Sequence, residues 1–386
     1  MINMATGLSL PPLSLYIHIP WCLKKCPYCD FNSHEFANSL PEQDYVESLL
    51  EDLALDLPYV QGRSLQSIFI GGGTPSLFSA AALHKLLTGI QEQIAFAEGM
   101  EITLEANPGT FEQAKFSDFR QTGINRLSIG IQSFQADFLR KLGRVHDAQE
   151  ALAAADIALN AGFDNFNLDL MFGLPGQTTT QALADLQQAI SSQATHLSWY
   201  QLTIEPNTVF YRETPVLPLA SLIDDMQDAG IELLEASGFA RYEISAFSQL
   251  GKQARHNLNY WQFGDYLGIG AGAHGKISLP AEKRIVRTRK IRQPKAYLAA
   301  NPVKGYTAQL APIPEQDLAL EFMMNALRLT EGVPSGLFQL RTGLKLELFA
   351  DVLEKLRSQH LLRTDTLATT PTGLNLLNNV LQSFMI

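Results

Sequence analysis

The chain has 386 residues, of which 46% are hydrophobic and 18% are charged, proportions typical of a globular protein with a sizeable core. Its 39 acidic residues outnumber its 29 basic residues, and the net charge of −10 argues against nonspecific nucleic-acid binding. The N-terminus lacks the features of a signal peptide, no run of about 18 apolar residues predicts a membrane span, and cysteine usage favours a reducing compartment, so we expect a cytoplasmic protein.

Short apolar segments alternate along the chain with amphipathic segments, as in proteins built from β-α-β units. The segments with strand character are 13–19, 67–70, 101–105, 126–131, 165–171 and 196–204. The segments with helical periodicity include 44–55, 80–93, 147–161 and 179–192. Six such units predict an α/β fold in which a parallel sheet forms an open or partial barrel over residues 13–300, preceded by a flexible tail at 1–12.

Most of the predicted strands end in polar or glycine-rich sequence. A glycine turn follows the second strand, Glu105 ends the third, Gln132 follows the fourth and Asp169 lies in the fifth. The C-terminal ends of barrel strands form one rim, on which functional sites are built. Glycine and proline at these points also suit simple turns, but turns explain less well why the three polar side chains lie at strand ends. We therefore expect a site on this rim.

A second region begins after residue 300, where Asn-Pro, Ala-Pro and Ile-Pro pairs within 302–314 predict a linker. Helical patterns follow at 315–329, 346–356 and 374–384, and two short segments at 361–363 and 367–369 predict a hairpin. The arrangement predicts a mainly helical, winged-helix-like domain over 301–386. From Leu310 onward six Lys/Arg stand against eight Asp/Glu, so we expect a packing or substrate-covering role rather than DNA binding.

All three cysteines of the chain fall within eight residues, as Cys22, Cys26 and Cys29 with the spacing C-x3-C-x2-C. An odd number at this spacing cannot pair off in disulfides. A structural zinc site would need a fourth ligand, which His34 could supply. The spacing better suits a loop that holds an iron–sulfur cluster by three thiolates. One iron would then stay open to a small molecule.

The cysteine spacing resembles that of the radical S-adenosylmethionine (SAM) superfamily. The flanking sequences, Leu-Tyr-Ile-His-Ile-Pro-Trp before Cys22 and Asp30-Phe31 after Cys29, resemble the branch that holds oxygen-independent coproporphyrinogen III oxidase and the HemW-type haem chaperones. The resemblance covers most of the chain and implies a partial (β/α)6, TIM-like barrel with a C-terminal winged-helix-like domain. It also implies a [4Fe–4S] cluster on the three cysteines, SAM on the open iron, and an electron donor.

The same resemblance implies a set of residues that contact the cluster and SAM. These residues are Tyr16, Tyr28, Gly72, Gly73, Thr74, Glu105, Gln132, Arg144 and Asp169. The chemistry is suitable, because a carboxylate can bind ribose hydroxyls or an ammonium group and an arginine can bind a carboxylate. Glycines let the backbone approach a ligand closely. Taken without the resemblance, the glycines could form only a tight turn and Arg144 could be a solvated surface charge.

Two features separate the members of this branch. The oxidase resembles C-x3-C-x2-C-x-C, whereas this chain has Phe31 at the position of the additional cysteine. The segment His256-Asn-Leu-Asn-Tyr260-Trp261 resembles the H-N-x-x-Y-W signature of the haem chaperones. A neutral imidazole is a good ligand for haem iron, so we expect His256 to bind haem, with His274 as a competitor. The alternative is that His256 shapes a loop and the two aromatic residues belong to the core.

Seven basic residues lie in the segment 283–295. A solvated edge strand protected by charge would explain them. The sharper hypothesis is that some of them meet haem propionates or an anionic partner, and Arg287 and Arg289 are the positions at which to test it.

The sequence as a whole predicts a haem chaperone that binds haem, transfers it to acceptor haemoproteins, and carries a [4Fe–4S] cluster and SAM. The alternatives are an oxygen-independent coproporphyrinogen III oxidase and another radical SAM enzyme of unknown substrate, so enzymatic activity is left open. The expected partners are haem, haem-accepting proteins and an electron donor for the cluster, with no nucleic acid. Peripheral membrane contact would follow from membrane-bound acceptors, although no segment of the chain requires it.

Overall fold

The computed structural model describes residues 7–36 and 39–385, with the backbone alone at positions 110 and 111. The described strands form one twelve-stranded sheet and one two-stranded sheet. In chain order the strands are β1 Leu13–Ile19, β2 Trp21–Cys22, β3 His34–Glu35, β4 Leu65–Gly72, β5 Phe96–Ala106, β6 Arg126–Gln132, β7 Phe166–Phe172, β8 His196–Gln201, β9 Ala240–Glu243, β10 Ala246–Ser248, β11 Asp265–Ile269, β12 His274–Leu279, β13 Arg284–Lys290 and β14 Thr307–Pro312.

The large sheet has the strand order β14-β13-β12-β11-β1-β4-β5-β6-β7-β8-β10-β9. Within it β1, β4, β5, β6, β7 and β8 are consecutive neighbours, and every pair among them is parallel. These are the six strands that the sequence predicts. The sheet is open, because its first and last strands do not pair with each other. The prediction of a partial barrel of six βα units is confirmed.

The helices that connect the parallel strands cover the apolar face of the sheet. In chain order they are α1 Glu42–Asp56, α2 Ala80–Gln93, α3 Thr110–Gln113, α4 Phe116–Gln121, α5 Ala136–Lys141, α6 Ala148–Asn160, α7 Thr179–Ser191, α8 Val209–Arg212, α9 Ala220–Ala236, α10 Arg255–Trp261, α11 Pro294–Leu298, α12 Leu318–Ala326, α13 Ser335–Thr342, α14 Ala350–Ser358, α15 Pro371–Asn375 and α16 Leu377–Gln382. In contrast to the connecting helices, α10 packs on the opposite face of the sheet, where His256 and Asn259 contact Ser67 and Ser14. Among the residues that the structure describes, none of the helices is long and apolar enough to cross a membrane.

The starts of two barrel helices agree with the sequence because they carry capping boxes. Asp147 and Glu150 satisfy each other's backbone donors at the start of α6, and Thr178 and Gln181 do the same for α7. A capping box pairs donors that would otherwise lack partners at a helix N-terminus, so the first helical residue is encoded locally.

Side chains along the parallel strands alternate between two environments. On β1, Leu15 and Ile17 are fully buried and belong to the same apolar cluster as Leu49 of α1. Tyr16 and His18 alternate with them and point to the opposite, inner face of the sheet. The core therefore lies between the sheet and its helices. The inner face is polar, and the part of it that α10 does not cover is available for a site.

The region that follows the sheet is mainly helical and has an apolar core of its own. α12 lies within the helix predicted at 315–329, and α14 overlaps the helix predicted at 346–356 but ends two residues after it. A bridge between Leu362 and Thr369 forms the short predicted hairpin. The predicted helix at 374–384 is divided into α15 and α16, because Leu376 leaves helical geometry with φ −106° and ψ 26°. The sequence missed α13, where Gly336 weakens the helical pattern.

β14 extends the sheet beyond the domain boundary predicted at residue 300. Its residues pair antiparallel with β13, so the chain stays in the sheet as far as Pro312. The predicted linker at 302–314 therefore contains the edge strand, a position that tolerates proline. The explanation of the basic segment as a solvated edge strand is wrong, because β14 covers the edge of β13.

Residues 7–9 contact the C-terminal region, whereas Pro11 and Pro12 accept hydrogen bonds from Arg63 and Asp265. The backbone N–H of Ser9 donates to Leu340 O at 2.9 Å, and its hydroxyl donates to the same oxygen at 3.0 Å. Leu8 packs against the C-terminal apolar core. This part of the tail predicted at 1–12 is thus held in place, while residues 1–6 lie outside the described residues.

Candidate cluster and cofactor site

The three cysteines lie together after β1, with Cys22 at the end of β2 and the other two on the loop that follows it. Cys22 is buried, while Cys26 and Cys29 are partly exposed, and Cys29 N donates to Cys26 O at 3.1 Å in a tight turn. All three line one cavity of about 530 Å³, together with the residues that end β4, β5 and β6. We call it the cluster cavity. It lies on the strand rim where the sequence predicts a site.

The arrangement of the cysteines does not suit a single metal ion. Within residues 7–36 and 39–385, no three His, Cys, Asp or Glu side chains are placed to hold one ion. The alternative zinc ligand, His34, instead has its Nε2 atom 3.1 Å from Asn32 Oδ1. In an iron–sulfur cubane each thiolate binds a different iron. Three separated sulfurs on one loop therefore fit a cluster better than zinc.

The glycine turn after β4 packs against the cysteine loop. Thr74 N donates to Trp21 O at 2.7 Å. A Cβ atom on Gly73 would lie 2.4 Å from the same oxygen, and a Cβ atom on Gly72 would lie 2.6 Å from the His18 ring. These two positions therefore require glycine for contact with the protein itself. Both also line the cluster cavity, which leaves their backbone accessible to a ligand.

Two carboxyl groups face the cluster cavity from β5 and β7. Glu105 accepts a hydrogen bond from Gly72 N at 2.9 Å, yet burial, with Asp169 adding to it, raises the pKa of Glu105 to about 7. Asp169 accepts hydrogen bonds from Asn167 and Ser128, but burial still raises its pKa. A ligand with an ammonium group or hydroxyls would stabilise both carboxylates, and the amino and ribose groups of SAM fit that requirement.

Arg144 is held at the cluster loop and is not a solvated surface charge. Its Nη2 donates to Asn107 Oδ1 and to Gly130 O, both at 2.7 Å, and its Nη1 lies 3.5 Å from Cys26 Sγ. Burial lowers the pKa of this guanidinium, but Tyr28 and Cys26 outweigh it and raise the pKa above its usual range. Its buried Nε has no partner among the described residues, so a donor remains for a carboxylate.

Gln132 has a left-handed backbone conformation at the end of β6, with φ 68°. This conformation is uncommon for residues other than glycine and is found at functional sites. Tyr200 OH donates to Gln132 Oε1 at 2.8 Å and orients the side chain on the wall of the cluster cavity. Tyr28 lines the same cavity, with its ring centroid 6.4 Å from that of Phe210.

A second cavity, of about 620 Å³, adjoins the first. The two share Phe31, Gly72 and Glu105 in their walls. Rings and cations form most of the remaining wall: Tyr16, Tyr260, Trp261, Phe263, Tyr266, His274, Arg287, Arg289 and Arg292. We call it the aromatic cavity. Among the predicted SAM contacts, Tyr16 lines only the aromatic cavity, whereas Gly72 and Glu105 line both cavities.

His256 packs under the aromatic cavity and does not line either cavity. Its Nδ1 lies 2.9 Å from Ser67 Oγ and its Nε2 lies 2.8 Å from Tyr260 OH. Burial lowers the pKa of His256 to about 3, so the ring is neutral, but both nitrogens have partners. The geometry does not support the expectation that His256 ligates haem. Tyr260 and Trp261 of the same motif do line the aromatic cavity.

Comparisons with known proteins bear on the same regions. A sequence model of the Radical SAM superfamily matches residues 16–189, and a model of the HemN C-terminal domain matches residues 313–376. The chain is 48% identical over 378 residues to the heme chaperone HemW of Escherichia coli K12, covering 97% of this chain and 99% of that relative. The chain belongs to the HemW family of radical SAM proteins.

One further comparison supports the assignment to the HemW family, and another concerns the fold. The heme chaperone HemW of Haemophilus influenzae is 48% identical over 382 residues, with 97% of this chain and 98% of that relative covered. The solved structure of coproporphyrinogen III oxidase (HemN) from Escherichia coli, described as a radical SAM enzyme, matches with a TM-score of 0.81 over 97% of this chain and 90% of that chain. At 23% identity this likeness shows the fold alone.

Some residues of the cluster cavity in this HemW family member escaped the sequence analysis. Asn107 donates to Thr74 Oγ1 at 3.2 Å and accepts from Arg144, and Ser198 and Tyr200 line the cavity from β8. Polar residues alternate with a period of two along β8, and this pattern could have identified Ser198 and Tyr200 as site residues. The aromatic cavity has no local signal, because Tyr260 and Trp261 reach it only through the nonlocal packing of α10.

Proposed function

We propose that this chain carries a [4Fe–4S] cluster and SAM and acts as a haem chaperone that passes haem to acceptor haemoproteins. The observation that carries the proposal is the 48% identity, over 97% of the chain, to a relative named heme chaperone. Phe31 supports it, because the oxidase pattern has a further cysteine at this position. The aromatic cavity also supports it, since it offers space for a flat ligand beside the cluster cavity.

The residues of the cluster cavity have distinct roles in this proposal. The three cysteines would each hold one iron and leave the fourth iron to SAM. The reduced cluster, when bound, supplies the electron that cleaves a C–S bond of SAM. Arg144 would offer its free Nε donor to the SAM carboxylate, while Glu105 and Asp169 would accept hydrogen bonds from its ammonium and ribose groups. Tyr28 and Gln132 would limit the access of water.

The proposal implies three kinds of partner: haem, haem-accepting proteins and a reductant for the cluster. The acidic net charge of −10 gives no reason to add nucleic acid. The cytoplasm is the proposed location, because three free thiols that bind a cluster need a reducing compartment. Peripheral contact with a membrane would follow from acceptors that are themselves membrane-bound.

Two other functions remain as alternatives, and the experiment described below distinguishes them from the proposed one. An oxygen-independent coproporphyrinogen III oxidase would decarboxylate coproporphyrinogen III, and the likeness of fold to HemN is what favours it. Another radical SAM enzyme would bind the cluster and SAM and act on a different substrate, without binding haem.

Anaerobic reconstitution with iron and sulfide, followed by haem titration, tests the proposal. We expect a saturable shift of the haem Soret band, transfer of haem to an apo-haemoprotein, and little or no decarboxylation of coproporphyrinogen. Rapid conversion to protoporphyrinogen would overturn the proposal in favour of the oxidase. The absence of a Soret shift would leave only the third function. Asp118→Asn, exposed on α4 and outside both cavities, is the control for handling of the protein.

A further inference from the structure

The walls of the aromatic cavity are built from rings held at fixed angles. The centroids of Tyr260 and Tyr266 are 4.5 Å apart in an edge-on arrangement, and Trp261 lies 6.4 Å from Tyr260. Phe31 stands at the wall shared with the cluster cavity and is 59% exposed. The volume of about 620 Å³ is within the range of small-molecule sites. A flat, largely apolar molecule fits these walls.

Two of the three arginines in this cavity are available to a ligand. Arg287 is already paired with Glu321. In the part of the chain that the structure describes, the side chain of Arg289 forms no hydrogen bond or ion pair. Arg292 forms a long hydrogen bond, 3.3 Å from its Nε to Asn32 Oδ1. Two guanidinium groups with free donors match a ligand that carries two carboxylates.

The cavity also presents an imidazole with free nitrogens. His274 lies opposite Arg289 in the register of β12 and β13, and its exposed ring makes no hydrogen bond with any described residue. The other histidine of the cavity, His18, has its ring nitrogens 2.9 Å from Tyr16 OH and 2.9 Å from Asn32 O. A neutral imidazole with a free nitrogen is a ligand for haem iron.

We propose that the aromatic cavity is the haem site, with His274 as the ligand to iron and Arg289 and Arg292 bound to the two propionates. This inference rests on the proposed function and specifies where its cargo binds. The step is coordination of iron by a neutral nitrogen, so no electron or proton has to be supplied. Because Gly72 and Glu105 belong to both cavities, haem would lie directly against the SAM chamber.

Titration of the full-length reconstituted protein with haem and with metal-free protoporphyrin separates the iron ligand from the propionate contacts. His274→Ala should weaken haem binding about tenfold or more and shift the Soret band. Added imidazole should restore the haem affinity and the Soret band of this variant. Its binding of metal-free protoporphyrin should equal that of the wild type. Replacing Arg289 and Arg292 together by Glu should weaken the binding of both compounds about tenfold or more.

The controls are an exposed histidine and an exposed arginine away from the cavity. His84→Ala on α2 and Arg284→Glu, which breaks the exposed pair with Glu282, should change neither titration. Since His274 and Arg289 are exposed, we expect their variants to fold. If a variant does not fold, the same two titrations are repeated with His274→Gln or Arg289→Gln in its place.

The outcomes distinguish this inference from the proposed function. A wild-type protein that binds no haem refutes the proposed function and the inference with it. If the wild type binds haem and His274→Ala keeps its affinity and Soret band, the assignment of the ligand is wrong. If the double arginine variant binds both compounds as tightly as the wild type, the aromatic cavity is not the haem site.

Discussion

The Nη1 atom of Arg144 lies 3.5 Å from the Sγ atom of Cys26, so a buried cation touches a predicted cluster ligand. The same guanidinium is fixed to the strand rim by Gly130 O. A positive charge at this distance favours the thiolate over the thiol and lowers the energy of added electrons on the cluster. Arg144 therefore connects the cluster loop with the part of the cavity assigned to SAM.

Arg144→Gln should leave cluster assembly intact, because all three thiolates remain, but weaken SAM binding. Loss of a hydrogen bond to a charged group costs about 1.5–3 kcal/mol, equivalent to a fall in affinity of roughly tenfold to a hundredfold. We also expect a more negative cluster potential. Equilibrium binding of SAM and a redox titration measure the two effects. Arg140→Gln, which removes an exposed charge paired with Asp137, should change neither.

Replacing any one of the three cysteines should abolish a stable cluster, because each is expected to hold its own iron. Cys29→Ser is the mildest choice, since Cys29 is only partly buried. Iron and sulfide analysis after anaerobic reconstitution should show a large loss of both. A variant that retains wild-type iron and sulfide would contradict the three-cysteine cluster. Ser33→Ala, whose Oγ lies 3.8 Å from Cys29 Sγ, is the matched control.

Glu105→Gln should stabilise the cluster-free protein at pH 8 by about 1–2 kcal/mol. The folded pKa of Glu105 is about 7 against an ordinary 4.5, so the folded state binds more protons than the unfolded state between these values. The contribution of Glu105 to the free energy of unfolding is therefore fully present below about pH 4.5 and is lost as the pH rises through 7. The full shift would correspond to about 3 kcal/mol, but water in the cavity reduces it.

Urea unfolding at pH 5 and pH 8 measures this effect. The difference between Glu105→Gln and the wild type should be small at pH 5 and should favour the variant at pH 8. Glu98→Gln, exposed on the same strand, is the control and should show no such pH dependence. Binding of SAM should change in the opposite direction, because a neutral amide is a weaker partner for an ammonium group. If the free energies of unfolding of Glu105→Gln and the wild type differed by the same amount at pH 5 and pH 8, the raised pKa of Glu105 would be contradicted.

The parallel sheet and its rim could be predicted because their signals are local. Apolar residues such as Leu15 and Ile17 alternate with polar residues along each strand, and the period of two identifies both the strand and its inner face. Glu105 and Asp169 follow from the same alternation. The capping boxes at Asp147 and Thr178 explain why two helix starts agree closely with the sequence.

The environment of His256 could not be predicted, because its partners come from distant parts of the chain. Ser67 lies on β4, and only the packing of α10 across the sheet brings the imidazole to its hydroxyl. A histidine beside aromatic residues looks the same in sequence whether it ligates iron or supports a core. The pairing of β13 with β14 is likewise nonlocal, and the prolines that predict a linker also suit an edge strand.

His256→Ala should destabilise the protein without removing the haem ligand. The substitution leaves the hydroxyl of Tyr260 without its partner and removes one of the two contacts of Ser67 Oγ, which keeps Ser14 Oγ at 2.8 Å. An unpaired buried group costs about 1–3 kcal/mol. Chemical denaturation should show the loss, while the Soret band of haem bound to the folded variant should keep its wild-type position. Asn257→Ala, a partly exposed neighbour on α10, is the control. A shifted Soret band with unchanged stability would restore His256 as a ligand.

Lys290→Met should cost about 3–5 kcal/mol, because it leaves buried carboxylates without their cation. The Nζ atom of Lys290 lies 2.6 Å from Asp52 Oδ1 and 2.8 Å from Asp56 Oδ2, and these contacts tie β13 to α1. Equilibrium unfolding in urea measures the change. Lys295→Met removes an exposed lysine nearby and should have an effect within about 0.5 kcal/mol. Similar losses in the two variants would mean that the buried cluster contributes little.

The edge position of β14 determines where the polypeptide can be cut. A fragment that stops at residue 300 would keep β13 but lose the strand that pairs with it from Thr307 to Pro312. The exposed N–H and C=O groups of β13 would then be free to recruit strands from other molecules. Expression of the barrel alone should therefore end after Pro312, since shorter versions would be prone to aggregate.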